Sequence, residues 1–489
     1  MKSINVVICG WNQITASVIK MLRKHKSVNI IGYWCESSSN QIHADVAGMK
    51  VISEPFKDLI SNKDIQFLFL CDTPVNQRNL VSIIDCLSKK QLASDTVLQD
   101  IPYIIIFPPV SPNYDMDTLE KVRIRVGFAM PLRNLPLSTL LFTHLNYNHK
   151  EMKALSSYEF TRLPTHWVLG TIESIHIRLS TVSFVDGSEY SWLSESEDMG
   201  GGLLNMFCPG LIDLVYFLSG GLRITSVTSI CRIFAKGTSD LSHSIRHISA
   251  DDYVTIMGEL DIPTLPGFRK PVVVIILSSD IPFPKNRMSD LPEAHFYDNH
   301  CFRLEIEVSG STGSFLIDEG KRRITWTPRK AVSSKPGKLN NKLTQLDCEN
   351  HYHDKRPGNI EESEFEGVYT EDVLASAVGS NVPRTQVPTM PNVNLDEDGI
   401  TEIVHLSLND SLHDSEAVKS AQHCYLSATG EAWTNWINGL TKSFSPEWKS
   451  FDFLSASPGH WVYIQSVMHA ITKSTQLRCW IDVQTGNRI

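Results

Sequence analysis

Six consecutive residues near the amino terminus, Gly10-Trp11-Asn12-Gln13-Ile14-Thr15, form the first pattern with chemical consequences. They follow a β-branched run, Val6-Val7-Ile8, and lead into Ile14, Val18, Met21 and Leu22 at helical spacing. A glycine-rich turn between a strand and a helix offers backbone N–H groups and a helix N-terminus to a pyrophosphate. Here only the first glycine of G-x-G-x-x-G is present. Asn12 stands where a second glycine would let the backbone approach, and Thr15 where a third would ease helix packing. Taken alone, the pattern suits an α/β domain without a nucleotide as well as one that binds it. After the second strand-like run come Cys35 and Glu36. A carboxylate there accepts hydrogen bonds from an adenosine ribose and repels a 2′-phosphate, which favours NAD over NADP. The expected cofactor set is Gly10, Asn12, Gln13, Ile14 and Glu36, joined by Thr73 and Pro74 just past the run Ile65–Cys71.

Two further groupings hold ionisable side chains. Cys348, His351, His353 and Asp354 lie close together, but in low-complexity surroundings that supply no supporting shell for a metal, so no metal site is expected. Asp251-Asp252 opens a strand-like segment, where a turn or cap role outweighs acid–base work.

The elements that position these residues are readable from periodicity. Strand, helix and strand recur through the first 130 residues, with further runs at Tyr103–Phe107 and Val122–Phe128, as βαβ units do in a doubly wound parallel sheet. From about residue 170 the chain turns β-rich. Phe302, Leu304, Ile306 and Val308 alternate with Arg303, Glu305 and Glu307, one apolar and one polar face. That alternation predicts an open, mainly antiparallel sheet with helices on one side. Residues 328–422 lose periodicity and read as a disordered insertion punctuated by prolines. Helical spacing returns at Trp433, Trp436, Ile437 and Leu440, and again at Ile464, Val467, Met468 and Ile471, before a short strand near Trp480. The expected organisation is a Rossmann-like domain over 1–130 and an α+β domain over 131–327 and 423–489.

Composition limits the function. The 489 residues carry 45 Lys plus Arg against 54 Asp plus Glu, a net charge of −9. A protein built to grip nucleic acid or an anionic membrane is normally basic, so neither partner is expected. Leu203 to Leu222 is nearly apolar and of membrane-spanning length, but Asp213 at its middle predicts a buried soluble helix. The ten cysteines are scattered without a CxxC pair, and the amino terminus shows no signal-peptide pattern. Both point to a reducing, cytoplasmic setting. The sequon Asn409-Asp410-Ser411 is short enough to occur by chance.

The segment Gly200-Gly201-Gly202-Leu203-Leu204, followed by Leu211-Ile212-Asp213-Leu214 and Leu218-Ser219-Gly220, resembles the glycine-triplet helix of the Gfo/Idh/MocA oxidoreductases. The chain is most similar to their glucose–fructose oxidoreductase domain-containing proteins. Tyr190-Ser191-Trp192, Ile245-Arg246-His247-Ile248-Ser249-Ala250-Asp251-Asp252, Arg133 with Pro136, and Gly310-Ser311-Thr312-Gly313-Ser314 carry the resemblance further. It spans residues 1–327 and, more faintly, 430–485.

The resemblance implies a dinucleotide at the first domain and a sugar-like substrate against the second. Active members use a Lys with an Asp and a His four residues apart. Removing hydride from a carbinol needs a base for the hydroxyl proton and a cation to steady the oxygen. In this chain those three positions fall on Pro108, Met206 and Gly210. Either the site is chemically silent, leaving a sensor or scaffold, or the local correspondence is shifted by a residue or another group such as Asp213, Arg133 or His166 has taken over. Arg133 and Asp213 are the substrate-pocket candidates. The resemblance also implies a homodimer through the C-terminal sheet. It suggests a third reading, association with extracellular matrix, which the absent signal pattern and scattered cysteines oppose.

Overall fold

In the computed structural model the chain is described over residues 4–10, 15–24, 26, 28–35, 48–80, 82–83, 102–107, 126–145, 163–164, 166–182, 200–234, 238–239, 245–246, 248–261, 269–281, 302–319, 323–329, 393–395, 402–405 and 455–489. The first sheet is built from β1 (Ile4–Cys9), β2 (Val28–Trp34), β3 (Val51–Ile52), β4 (Phe67–Leu70), β5 (Tyr103–Ile106) and β6 (Val126–Ala129), all paired in parallel. Helices α1 (Thr15–Lys24) and α2 (Phe56–Ile60) belong to its crossovers. Val7, Ile8 and all of β4 are buried, as expected for strands covered on both faces. The strand order β6-β5-β4-β1-β2-β3 reverses between β1 and β4. Ligands of open α/β sheets bind at such a reversal, outside the carboxyl ends of the strands.

A 3₁₀ turn (Pro131–Asn134) and α3 (Pro136–Leu145) lead out of β6. The second sheet then forms from β7 (Ile172–Val182), β8 (Ile224–Arg232), β11 (Tyr253–Leu260), β12 (Val272–Ile281), β13 (Phe302–Gly310), β14 (Gly313–Asp318) and β15 (Arg323–Pro328). Thr238–Ser239 and Ile245–Arg246 make a small separate pair, β9 and β10. The sheet is mixed: β12 runs parallel to β7, and the other described pairs are antiparallel. Leu304, Ile306 and Val308 are buried while Glu307 is exposed, so the alternation read in β13 holds. Helices α4 (Gly202–Leu218) and α5 (Pro458–Leu477) cover one face. α4 is the buried helix expected in place of a membrane span, and among the described residues no helix is long and apolar enough to cross a membrane.

Of the expected insertion over 328–422, residues 328–329, 393–395 and 402–405 are described, and two strands lie there. Glu402–His405 (β17) pairs onto the outer edge of β15 and Val393–Leu395 (β16) onto β17, so that with Ile481–Asp482 the sheet has ten strands. These strands are too short to show a period, and the pairing of β17 to β15 is remote in sequence. The carboxyl-terminal stretch, expected to complete the second domain, contributes a strand to each sheet. Ser455–Ala456 (β18) pairs antiparallel with β6 in the first sheet, and Ile481–Asp482 (β19) pairs with β8 in the second. The helical spacing expected at Trp433–Leu440 and the Cys348–Asp354 grouping lie outside the described residues.

Candidate functional site

Gly10 ends β1 with φ at +80°, a conformation that strains any side chain, and its N–H donates to the Trp34 carbonyl at 2.8 Å. A Cβ at this position would lie 2.3 Å from the Asp72 carboxylate. The first glycine is therefore required by backbone conformation and by a neighbour. Thr15 is buried at the start of α1, and its hydroxyl donates to the Cys71 carbonyl at 2.9 Å. That bond ties the helix to the end of β4, a reason for threonine in place of a third glycine. Asn12, Gln13, Ile14 and Glu36 lie outside the described residues.

Across the crevice, Asp72, Thr73 and Pro74 lead from β4 into helical residues 74–80. Asp72 Oδ1 accepts from the Thr73 N–H at 2.7 Å and from Asn76 Nδ2 at 2.9 Å. Gln77 is buried in the same turn, with Nε2 donating to the carbonyls of Asp72 at 3.0 Å and Phe107 at 2.9 Å. Its Oε1 is buried with no donor among the described residues. Burial, and secondarily the Asp72 charge, push the Cys9 thiol well above its ordinary range. Asp72 and Gln77 were not singled out from sequence. The available signal was an acid between an apolar strand and Thr-Pro.

The second part of the site is a small cleft, partly open to solvent, between the ends of β5 and β6, the second and third turns of α4 and the first turn of α5. Ile106, Phe128, Leu132, Met206, Gly210 and Trp461 line it with other apolar residues. Met206 and Gly210, two of the three positions where the resemblance calls for ionisable groups, thus face a cleft without one. Pro108 lies outside the described residues. A Cβ on Gly210 would come within 3.1 Å of Leu132 Cδ1, so a larger side chain there has to displace the leucine. Trp461 stacks on Phe128 with centroids 4.4 Å apart and planes at 8°. Its indole N–H is buried with no acceptor among the described residues.

Behind the cleft, the structure brings Arg133 and Asp213 together. Arg133 Nε donates to Asp213 Oδ2 at 2.8 Å, and its Nη2 donates to Oδ1 of the same carboxylate. His460 Nε2 donates to Oδ1 at 2.9 Å. Burial alone would raise the pKa of Asp213. The Arg133 guanidinium and His460 outweigh it and hold the carboxyl below its usual range. The carboxylate is thus ionised and committed to two donors, which leaves it a poor proton acceptor. His460, set in the first turn of α5 and against the Tyr216 ring at 4.5 Å, was missed from sequence. The signal was Ser457-Pro458, a helix start whose serine accepts from the His460 N–H at 3.2 Å. His166 is exposed, and its ring packs against Trp326 of β15 at 86° rather than lining the cleft.

Asp251 has the cap role expected of it. Its Oδ2 accepts from the Leu204 N–H at 2.8 Å at the start of α4. Gly202, with φ at +87°, leaves the room that the Asp251 carboxylate occupies, since a Cβ would lie 2.6 Å from Oδ1. The last glycine of the triplet is therefore explained by a helix start built around a buried acid.

A parallel first sheet followed by a mixed, mostly antiparallel second sheet is the two-domain arrangement of solved structures described as NAD-binding oxidoreductases. The chain is similar over 99% of its length to all of an oxidoreductase domain protein from Kribbella flavida, with a TM-score of 0.58 at 12% identity. It is similar over 98% to 99% of an NAD binding oxidoreductase from Klebsiella pneumoniae, with a TM-score of 0.59 at 11% identity. A levoglucosan dehydrogenase in complex with NADH and levoglucosan matches over 98% of this chain and 99% of its own, with a TM-score of 0.57 at 12% identity. No family model matches the sequence, and no curated protein does. At these identities the likeness is one of fold.

Proposed function

We propose that this chain binds a nicotinamide dinucleotide at the first sheet and performs no hydride chemistry at the second, acting as a sensor or scaffold. The observation that carries this reading is the lining of the cleft. Met206 and Gly210 sit among apolar side chains, and the nearby Arg133 and Asp213 are committed to each other. The loss of one general acid or base typically costs about 10²–10⁴ in rate, and the loss of a whole set leaves little. The crevice between β1 and β4 would hold the dinucleotide through Gly10, Asn12, Gln13, Ile14, Thr73 and Pro74, with Glu36 favouring NAD. When bound, the nicotinamide supplies hydride transfer. The residues present fit its binding at Gly10 better than its use at the cleft.

The test is titration of purified protein with NADH and NADPH, followed by tryptophan fluorescence, since Trp34 lies buried at the end of β2. Saturable binding without turnover of sugars or polyols is expected. Turnover abolished by a cleft substitution would overturn the silent reading, and no binding at millimolar nucleotide would leave a nucleotide-free scaffold.

A second reading, an active oxidoreductase on a sugar- or polyol-like substrate, draws support from His460. An imidazole oriented by a carboxylate stands next in sequence to Trp461 of the cleft. Under that reading His460→Asn removes turnover. The same chain would pair with a second copy through the uncovered face of its second sheet. A cytoplasmic setting belongs to the same reading and rests on the scattered cysteines of the sequence.

A further inference from the structure

The described side chains that line the cleft beside β6 are hydrocarbon or aromatic, apart from the thioethers of Met130 and Met206 and the indole N–H of Trp461. Pro131 and Pro209 also leave the wall without their backbone N–H groups. Trp461 is 1% exposed, and its indole N–H has no acceptor among the described residues. A buried indole N–H ordinarily has a partner. The ring is held before any ligand arrives. It stacks on Phe128 at 4.4 Å, the Trp461 backbone N–H donates to the Ser457 carbonyl at 2.8 Å, and the neighbouring His460 bonds Asp213 at 2.9 Å. An ordered water needs about two to four polar partners, and the lining side chains supply this one donor. A polyol suits such walls poorly. Each hydroxyl drawn out of water without a partner lowers affinity roughly 10-fold or more. A carbonyl or ether oxygen on an apolar frame needs a single donor, and the wall holds one.

We propose that this cleft binds a small apolar molecule carrying one hydrogen-bond acceptor, a ketone or ether by class, and that Trp461 recognises the acceptor. The proposal rests on the reading of the chain as a sensor without hydride chemistry, and it names the class of molecule sensed. Sugar-like ligands, which the resemblance implies, are disfavoured by the same walls. Met206 and Gly210 then have a use: where the resemblance calls for ionisable groups, they keep the wall apolar around a hydrocarbon frame.

The experiment measures binding of cyclopentanone, methylenecyclopentane and erythritol to the full chain and its Trp461→Phe variant by magnetic resonance. Methylenecyclopentane has the shape of the ketone with a methylene in place of the oxygen, and erythritol is a small polyol. Saturable cyclopentanone binding is expected, at least about 10-fold weaker in Trp461→Phe, with methylenecyclopentane changed by less than about 3-fold. Erythritol should bind the full chain at least about 10-fold more weakly than the ketone. Equal losses for ketone and alkene overturn the inference, because Trp461 then acts by shape alone. Erythritol binding as tight as the ketone overturns it, and so does no ketone binding at about 100 mM. If Trp461→Phe loses its thermal transition, the indole N–H signals of the labelled full chain decide. The ketone should shift one of them; no shift, or the same shift with the alkene, overturns the inference. The underlying reading is tested separately with NADH. Ketone binding without NADH binding supports the cleft assignment and overturns the nucleotide reading. Oxidation of NADH on adding the ketone supports the ligand class and overturns the silent reading.

Discussion

Single residues in this chain show how similar acids acquire opposite behaviour. Asp213 and Asp251 are both buried, but Asp213 meets a guanidinium and an imidazole, whereas Asp251 meets backbone N–H groups. Burial, the largest cause, raises Asp251 from 3.8 to about 6. The folded chain therefore holds this proton more tightly than the unfolded chain. The resulting contribution to stability is fully present below about pH 4 and is lost as pH rises through about 6, roughly 3 kcal/mol over that window. Asp251→Asn keeps an acceptor for the Leu204 N–H and removes the titration. Urea denaturation should show the variant gaining stability relative to the parent between about pH 4 and pH 7, by up to about 3 kcal/mol. A constant difference across that range would show that Asp251 does not titrate there. Local sequence carried the cap role of Asp251 and the substitutions at Met206 and Gly210. It did not carry His460 or Trp461, whose partners Asp213 and Phe128 lie far along the chain, nor the closeness of Asp72 to Gly10.

At the scale of elements, propensity and tertiary contact contribute unequally. The alternation in β13 and the helical spacing through Ile464, Val467, Met468 and Ile471 were sufficient to place a strand and a helix, because each buries a periodic apolar face. What α5 packs on could not be read that way. It lies on β8 through polar as well as apolar contacts. Ser474 Oγ accepts from the Ser229 N–H at 3.0 Å and donates to the Cys479 carbonyl at 2.6 Å, while Ser229 Oγ donates to the Ile471 carbonyl at 2.7 Å. Ser474→Val leaves a buried N–H and a carbonyl unmatched, at about 1–3 kcal/mol each. Chemical denaturation should register a loss of at least about 2 kcal/mol, whereas Ser466→Ala on the same helix should lose under about 1 kcal/mol. Equal losses would mean that the helix is held by its apolar face alone. The strands β16, β17 and β18 were illegible for a related reason: each is two to four residues long, and β17 and β18 pair with edges distant in sequence.

At the scale of the whole molecule, the uncovered face of the second sheet is uneven. Ile230 of β8, Met257 of β11 and Val272 of β12 are exposed on neighbouring strands, at 51%, 42% and 36%. Val274 and Ile276 share that face by register, whereas Glu305 and Glu307 of β13 carry charge farther along it. Under the proposed pairing of two chains, the apolar end is the contact. The double variant Ile230→Glu and Met257→Lys should sediment as a monomer with its thermal transition retained, whereas the parent sediments as a dimer. A parent that sediments as a monomer at micromolar concentration would remove the pairing.

The join of β18 to β6 bears on how the chain is made. A ribosome releases β6 early, but the strand that covers its edge emerges only after residue 455. At about 5–20 residues per second, the first sheet waits roughly 15–65 s with an unpaired border, and the Phe128 ring waits as long for Trp461. During translation the nascent domain is a half-sealed object, a natural client for whatever holds unfinished sheets apart.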